Sequence, residues 1–249
     1  MTSGMRSRSG RFPLSSLFAA GRDLLFPARC LACGVELGRH VLPLLCPSCR
    51  KRLVPLCSPL CRCCGTPFTT GRDHLCGICL RKPPPFALAR SAFLYQDPLD
   101  QLIIDIKFGH HLTGLASLAR LARHSPALAT LGRPDLVLPV PLHRDRLRER
   151  GFNQALLLAR SCFAGRAEVA VDVLRKDLAT QPQTRLSGRA RRKNLRSAFA
   201  VHRLDLVAGK KILVVDDVFT TGSTMAACAR ALVRAGAARV EGFTLARSL

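Results

Sequence analysis

Beyond residue 85 the apolar positions of this chain alternate between two periods. Short, nearly continuous apolar runs occur at Ala89–Tyr95, Leu136–Val140, Val169–Leu174, Lys211–Val215 and Val240–Ala246. Runs of this kind are typical of strands buried on both faces. Between them the apolar residues recur at helical spacing. One helix opens at Pro98 with Leu99, Leu102, Ile103 and Ile106 on one face, and others run from about Leu115 to Arg123, from Asn153 to Phe163 and from Ser223 to Ala235. Strands that alternate with helices predict an α/β domain, a parallel sheet with helices on both faces. Ala89–Tyr95 is expected at an edge or as the entry strand. Arg175 to Arg196 has too little apolar periodicity to pack, and a mobile loop is expected there.

Before residue 83 neither period holds and cysteine dominates. Ten of the twelve cysteines lie between Cys30 and Cys79, and eight of them form four CxxC pairs: Cys30/Cys33, Cys46/Cys49, Cys61/Cys64 and Cys76/Cys79. A CxxC turn puts two thiolates on one side of a tight knuckle, and two knuckles supply the four soft ligands of tetrahedral zinc. Gly34 and Gly65, each just after a second cysteine, suit such turns. Pairing in sequence order gives two sites, with an interleaved arrangement or a single occupied site as alternatives. Four thiolates close the coordination shell, so the zinc is expected to be structural. A disulfide framework fits less well, because no export signal is evident and reducing cytosol keeps thiols free. Cys57 and Cys63 lie outside the pairs, and Cys162 and Cys228 read as small core side chains. Three successive prolines, Pro83 to Pro85, mark a semi-rigid boundary. Three parts result: a flexible basic segment over 1–24, a cysteine-rich zinc-binding domain over 25–82 and the α/β domain over 83–249.

Charge and length narrow the function. Thirty-nine Lys and Arg against sixteen Asp and Glu leave +23, a positive field that suits polyanions or phosphate-bearing small molecules. With 48% hydrophobic residues the chain has enough apolar matter for a packed core. No run approaches the roughly twenty apolar residues that span a bilayer. The basic start around Arg6, Arg8 and Arg11 leads into an apolar stretch without a convincing cleavage site. A cytoplasmic protein is expected. Aromatic residues make up only 5%, with no Trp, so any contact with single-stranded DNA would be mainly electrostatic.

The most informative segment runs Ile212-Leu213-Val214-Val215-Asp216-Asp217-Val218-Phe219-Thr220-Thr221-Gly222-Ser223-Thr224. An apolar strand delivers two adjacent carboxylates to its C-terminal end, the edge where open α/β sheets bind ligands. Thr220 to Thr224 form a hydroxyl-rich turn at a helix start, where free N–H groups favour a phosphate, and Gly222 lets the backbone come close to the anion. Two carboxylates ahead of a phosphate cradle make sense if they grip the hydroxyls of a ribose whose 5′-phosphate sits in the cradle.

This fused pattern resembles the phosphoribosyl-diphosphate (PRPP) signature of type I phosphoribosyltransferases. Together with the four CxxC pairs, Ile106-Lys107-Phe108, Pro139-Val140-Pro141-Leu142-His143, Arg148-Glu149-Arg150-Gly151-Phe152-Asn153-Gln154 and the Gln181, Arg189 and Asn194 stretch, it is similar to the ComF family (ComFC- and GntX-like proteins). The resemblance covers Leu25 to Arg247. It implies that residues 83–249 take the type I phosphoribosyltransferase fold, and that the protein acts in uptake or processing of transforming DNA. It also implies PRPP, magnesium carried with PRPP, and single-stranded DNA or DNA-uptake proteins as partners, with phosphoribosyl transfer to an acceptor the sequence does not name. A metabolic phosphoribosyltransferase or amidophosphoribosyltransferase-like enzyme, and a non-catalytic zinc-dependent binding module, are the alternatives. Carried over by residue, Asp216 and Asp217 would hold the ribose hydroxyls and Thr220, Thr221, Gly222, Ser223 and Thr224 the 5′-phosphate. The diphosphate loop would follow Val140, with Arg144, Arg146, Arg148 and Arg150 around it. Lys107 is a further diphosphate candidate, and Arg189 lies in a stretch, Arg185 to Arg196, that matches the family's flexible hood. No side chain stands out as a general base.

Overall fold

A computed structural model of the chain describes residues 27–38, 42–109, 112–176 and 198–249. The basic N-terminal segment and most of the Arg-rich stretch, including Gln181, Arg189 and Asn194, lie outside the described residues. Two short strands, β1 (Ala28–Arg29) and β2 (Glu36–Leu37), pair antiparallel at the start. Helices α1 (Pro47–Arg52) and α2 (Gly77–Arg81) follow in the cysteine-rich part. The remainder is built on β3 (Leu88–Leu94), β4 (Leu136–Pro139), β5 (Glu168–Val169), β8 (Lys211–Phe219) and β9 (Arg239–Arg247). These five strands are all parallel and lie in the order β3-β9-β8-β4-β5. The parallel sheet with crossover helices is the expected architecture, and β3 is at one edge as its position in the sequence suggested.

Because successive strand residues face opposite sides, the sheet carries two cores. Leu213, Val215, Phe243 and Leu245 pack with α3 (Leu99–Gly109), α4 (Leu112–Ala122) and α7 (Gln154–Phe163), and Cys30, Cys46 and Cys49 belong to the same cluster. Ile212, Val214, Leu138 and Val240 pack on the other face with α8 (Ser223–Arg234), and Cys61, Cys64 and Cys79 belong there. Leu99, Leu102, Ile103 and Ile106 are the buried residues of α3, and Cys162 and Cys228 are fully buried, all as expected. The outer edge of β3 is covered by the cysteine-rich part. Leu56 donates its N–H to the Ala92 carbonyl (3.0 Å), Leu94 donates to the Val54 carbonyl (2.9 Å), and Pro55 bridges Phe93 antiparallel.

Three elements depart from expectation. Val169–Leu174 is not one strand. Val169 pairs with Val137 and closes the sheet, the chain turns through exposed Val171, and Leu174 begins β6 (Leu174–Lys176), which pairs antiparallel with β7 (Phe199–Val201). One apolar run thus serves two sheets. Arg175 and Lys176, expected in the loop, are in β6. Arg144–Arg150, expected to surround a loop, forms helix α6. His143 caps its start, Arg148 and Arg150 lie in its last turn, and Gly151 ends it in the left-handed conformation (φ 72°), as a helix C-terminus favours. A four-residue helix, α5 (Pro126–Ala129), and a 3-10 turn at Leu204–Leu206 complete the described elements. Among the described residues no helix is long and apolar enough to cross a membrane.

Candidate functional site

The cysteines gather in sequence order. Cys30, Cys33, Cys46 and Cys49 place their sulfurs within 4.8 Å of one another, and Cys61, Cys64, Cys76 and Cys79 do the same. The two groups are local copies. Cys30 donates its N–H to Val35 (2.8 Å) and Cys61 to Thr66 (2.7 Å); Gly34 and Gly65 both turn at left-handed φ, 74° and 73°. Cys46 and Cys76 open α1 and α2, and their N–H groups donate to the sulfurs of Cys30 and Cys61, each at 3.3 Å. Four sulfurs on a tetrahedral zinc with bonds of about 2.3 Å sit roughly 3.8 Å apart. The Cys33–Cys46 and Cys64–Cys76 separations, 3.8 and 3.7 Å, match this spacing. Burial opposes ionisation of Cys30 and Cys61, but backbone N–H donors, led by Cys46 for one and Cys76 for the other, outweigh it and bring each thiol down to about 6. Charge supplies a second sign of fit at the Cys61 group. Arg90 and Arg247 are buried beside it, and neither makes an ion pair with a carboxylate within 4 Å among the described residues. A buried guanidinium requires a counter-charge. Four thiolates on a divalent metal carry a net charge of −2, which would supply it for Arg247 and add to the pull of Asp73 on Arg90. Cys57 and Cys63 stay outside both groups.

At the other site the carboxylates are not at the end of their strand. β8 continues through Asp216 and Asp217 to Phe219 because β9 pairs with it that far, Phe219 opposite Arg247. The neighbour on the other side ends earlier. The last pair of β4 is Pro139 with Val215, and after Val140 donates to the Val215 carbonyl (2.8 Å) Pro141 has no N–H to continue the ladder. The carboxylates therefore occupy the notch where β4 stops, half-buried rather than free. Asn153, the cap of α7, donates its side-chain amide to the Val140 carbonyl (3.0 Å) and ties the loop's far end to the same notch.

Lys107, from the end of α3, meets Asp217 at 2.8 Å. The other Asp217 oxygen accepts the Val218 N–H at 2.7 Å, and Asp216 accepts the Asp217 N–H at 2.9 Å. Burial and then the neighbouring Asp217 charge push the Asp216 carboxyl up to about 8. Arg150 approaches the Phe108 ring (5.7 Å), and burial lowers its pKa against the pull of Asp217. Lys176 lies 5.8 Å from the Phe199 ring, and burial lowers its pKa while Cys228 and Asp216 oppose this. Arg146 is close enough to Arg150 and Lys176 to be felt by both. The structure thus gathers Lys107, Arg146, Arg150 and Lys176 around two carboxylates. Arg144 and Arg148 are exposed on α6. Lys176 was missed because it stands in an Arg-rich stretch without periodicity; a Lys two residues after a buried Leu in a strand was the available signal.

The hydroxyl-rich turn follows at once. Gly222 has φ 70° and opens α8, and Thr221 and Ser223 share a hydrogen bond between hydroxyls at 2.7 Å. The close approach Gly222 allows is to Phe219. A Cβ there would lie 2.5 Å from the ring's Cζ. The first amides of α8 have no acceptor within the helix; that of Ser223 makes a long contact of 3.4 Å to the Thr221 hydroxyl, which an anion could replace. A separate cavity of about 570 Å³, lined by Leu88, Arg133, Lys211, Arg239 and Glu241, opens at the opposite, N-terminal ends of the strands and shares none of these groups.

Residues 22–80 match the double zinc ribbon domain and residues 153–248 the phosphoribosyl transferase domain. Competence protein F of Haemophilus influenzae is 31% identical over 231 residues, 90% of this chain and 98% of that protein. The chain belongs to the ComF family. Another ComF relative, competence protein ComFC of Bacillus subtilis, is 30% identical over 216 residues, covering 82% and 84% of the two chains. The DNA utilization protein YhgH of Escherichia coli O157:H7 is 40% identical over 197 residues, 76% of this chain and 85% of that protein. This ComF protein therefore carries a type I phosphoribosyltransferase fold behind a double zinc ribbon.

Proposed function

We propose that this ComF protein binds PRPP at the Asp216–Thr224 site and serves the handling of incoming DNA. The observation that carries the reading is the notch itself: two carboxylates where β4 ends, followed without a gap by a left-handed glycine and a helix start. Asp216 and Asp217 take the ribose hydroxyls, and Thr220, Thr221, Gly222, Ser223 and Thr224 the 5′-phosphate. Lys107, Arg146, Arg150 and Lys176 face the diphosphate, with Arg189 as a further contact from the hood, and Arg144 from the exposed start of α6. Lys107 must exchange Asp217 for diphosphate as ligand enters, which frees the carboxylate for ribose. Magnesium would arrive with PRPP, and the carboxylates of Asp216 and Asp217 are the oxygens this chain offers beside the turn. Transfer, where an acceptor is present, then rests on positioning and neutralisation of the departing diphosphate. The names of the relatives, a DNA utilization protein and a competence protein, and a charge of +23 support a role with DNA; the partners we propose on that basis are single-stranded DNA and DNA-uptake proteins, met in the cytoplasm.

Calorimetry with PRPP and magnesium tests the site. Asp217→Asn removes the anionic acceptor and Thr221→Ala one donor, and each loss is worth roughly ten- to hundred-fold in affinity. Neither removes a positive charge, so anisotropy with single-stranded DNA should be unchanged or slightly tighter. Unchanged PRPP affinity in both variants would sink the assignment. Parallel loss of both ligands would place the nucleic acid in the same cradle.

A further inference from the structure

The Cys61 metal group touches the phosphate turn through two side chains. Arg247, at the end of β9, donates to the Cys64 carbonyl at 2.7 Å and to the Thr66 hydroxyl at 2.5 Å, and its second guanidinium nitrogen lies 3.8 Å from the Cys64 sulfur. The Thr66 hydroxyl is itself 3.1 Å from that sulfur. The same guanidinium lies over the Phe219 ring, 4.6 Å from its centre. Phe219 is buried, held edge-on by Phe86 at 6.2 Å, and its ring fills the space beside Gly222 where any side chain would project. Metal ligand, guanidinium, ring and turn glycine are thus four consecutive members of one packed series. Among the described residues the Cys30 group has no such series. It packs on the opposite face of the sheet, where Leu31 meets Gly114 of α4 and the Leu44 N–H donates to the Ser117 hydroxyl at 3.0 Å.

We propose that Arg247 is a positioning residue through which metal in the second ribbon, and not in the first, holds the phosphate turn in its binding shape. Loss of metal there removes the counter-charge that fixes the guanidinium. Once the guanidinium turns away, the Phe219 ring loses its cover and the Gly222 turn its support. The coupling rests on the PRPP reading only for its consequence, because the turn's order can be followed without any ligand.

The test is amide hydrogen exchange on the zinc-loaded full chain, comparing wild type with Arg247→Lys, which keeps the charge but loses the planar stack and the fork. Exchange at residues 219–225 should rise about tenfold, while residues 112–122 and the zinc content stay as in wild type. Phe219→Leu, which keeps apolar bulk but no ring face, should do the same and serves if Arg247→Lys does not fold. Cys64→Ser should loosen the turn and Cys33→Ser should not. Unchanged exchange at 219–225, or an equal rise everywhere, would overturn the proposal. PRPP titration of the same samples should show about tenfold weaker binding for Arg247→Lys. If wild type fails to bind PRPP, the site reading falls, and the exchange data still decide the coupling.

Discussion

The two cysteine groups are built alike and placed differently. Each has two CxxC knuckles, a left-handed glycine after the second cysteine, an N–H donated to the first sulfur at 3.3 Å and a short helix opened by the third ligand. Yet the first meets helices on one face of the sheet, with Cys33 exposed to water, whereas the second is pressed onto β3 and β9 with two buried arginines beside it. Local sequence therefore determines a metal site, and its surroundings determine what depends on that metal. At the first group the metal stabilises a knuckle. At the second the metal-thiolate group, with its net charge of −2, also neutralises charge inside the protein.

The largest test of this contrast compares ligands of equal burial. Cys61→Ser should cost about 3–5 kcal/mol more than Cys30→Ser in denaturant unfolding, since only the former weakens the counter-charge of buried arginines. Equal costs would mean that Arg90 and Arg247 are satisfied by carbonyls alone. Metal analysis of the reduced wild type should find two zinc ions per chain.

A gentler pair leaves the ligands alone. Gly34 and Gly65 share the same φ, but a Cβ at Gly34 meets nothing within 4 Å, while one at Gly65 would stand 2.7 Å from the Ala89 carbonyl oxygen. Left-handed backbone costs an ordinary residue about 1 kcal/mol, and crowding a packed contact adds about 1–3 kcal/mol. Gly34→Ala should thus lose about 1 kcal/mol in thermal or denaturant unfolding and Gly65→Ala about 2–4 kcal/mol. Similar losses would show that the second ribbon can lift off β3 at little cost.

A pH test separates the ribbons from the notch. With zinc bound, their thiolates carry no protons, whereas Asp216 holds one up to about pH 8. The native state then binds more protons than the unfolded chain between the ordinary carboxyl range and about 8, so stability falls as pH rises through that window. The fall is at most about 1.4 kcal/mol per pH unit. Asp216→Asn should flatten the profile, measured as denaturant midpoints from pH 5 to 8.5, and an unaltered slope would assign it elsewhere. The smallest effect belongs to the first group's face, where α3 reaches the notch. Phe108→Ala removes the ring beside Arg150 and should cost about 0.5–1 kcal/mol in binding of PRPP.

What the sequence disclosed follows from the range of the forces involved. The CxxC knuckles and the Asp216–Thr224 signature are local, and the apolar runs of β4, β8 and β9 state their own burial. Pairing is not local. Nothing in Lys211–Val215 says that the strand continues through two aspartates, because β9 supplies the partner from 28 residues further on, Thr244 for Asp216. Nor does Val169–Leu174 reveal that its two ends pair in different sheets. Arg90 and Arg247 look like surface charges by residue type. Their only advertisement is that each stands in a mainly apolar strand, Leu88–Leu94 and Arg239–Arg247, where the other charges are Arg239 and Glu241, which pair with each other.

The covered edge of β3 bears on how the protein stays in solution. A sheet with a bare edge offers unpaired N–H and C=O groups to any strand that comes near, and proteins keep such edges short or hidden. Here β5 is an edge of two residues, while the longer edge at β3 is closed by Val54–Leu56 from between the two metal groups. That three-residue strip stays in place because knuckles on either side of it are pinned. Metal in the ribbons would thereby help to keep the β3 edge covered against pairing with another strand.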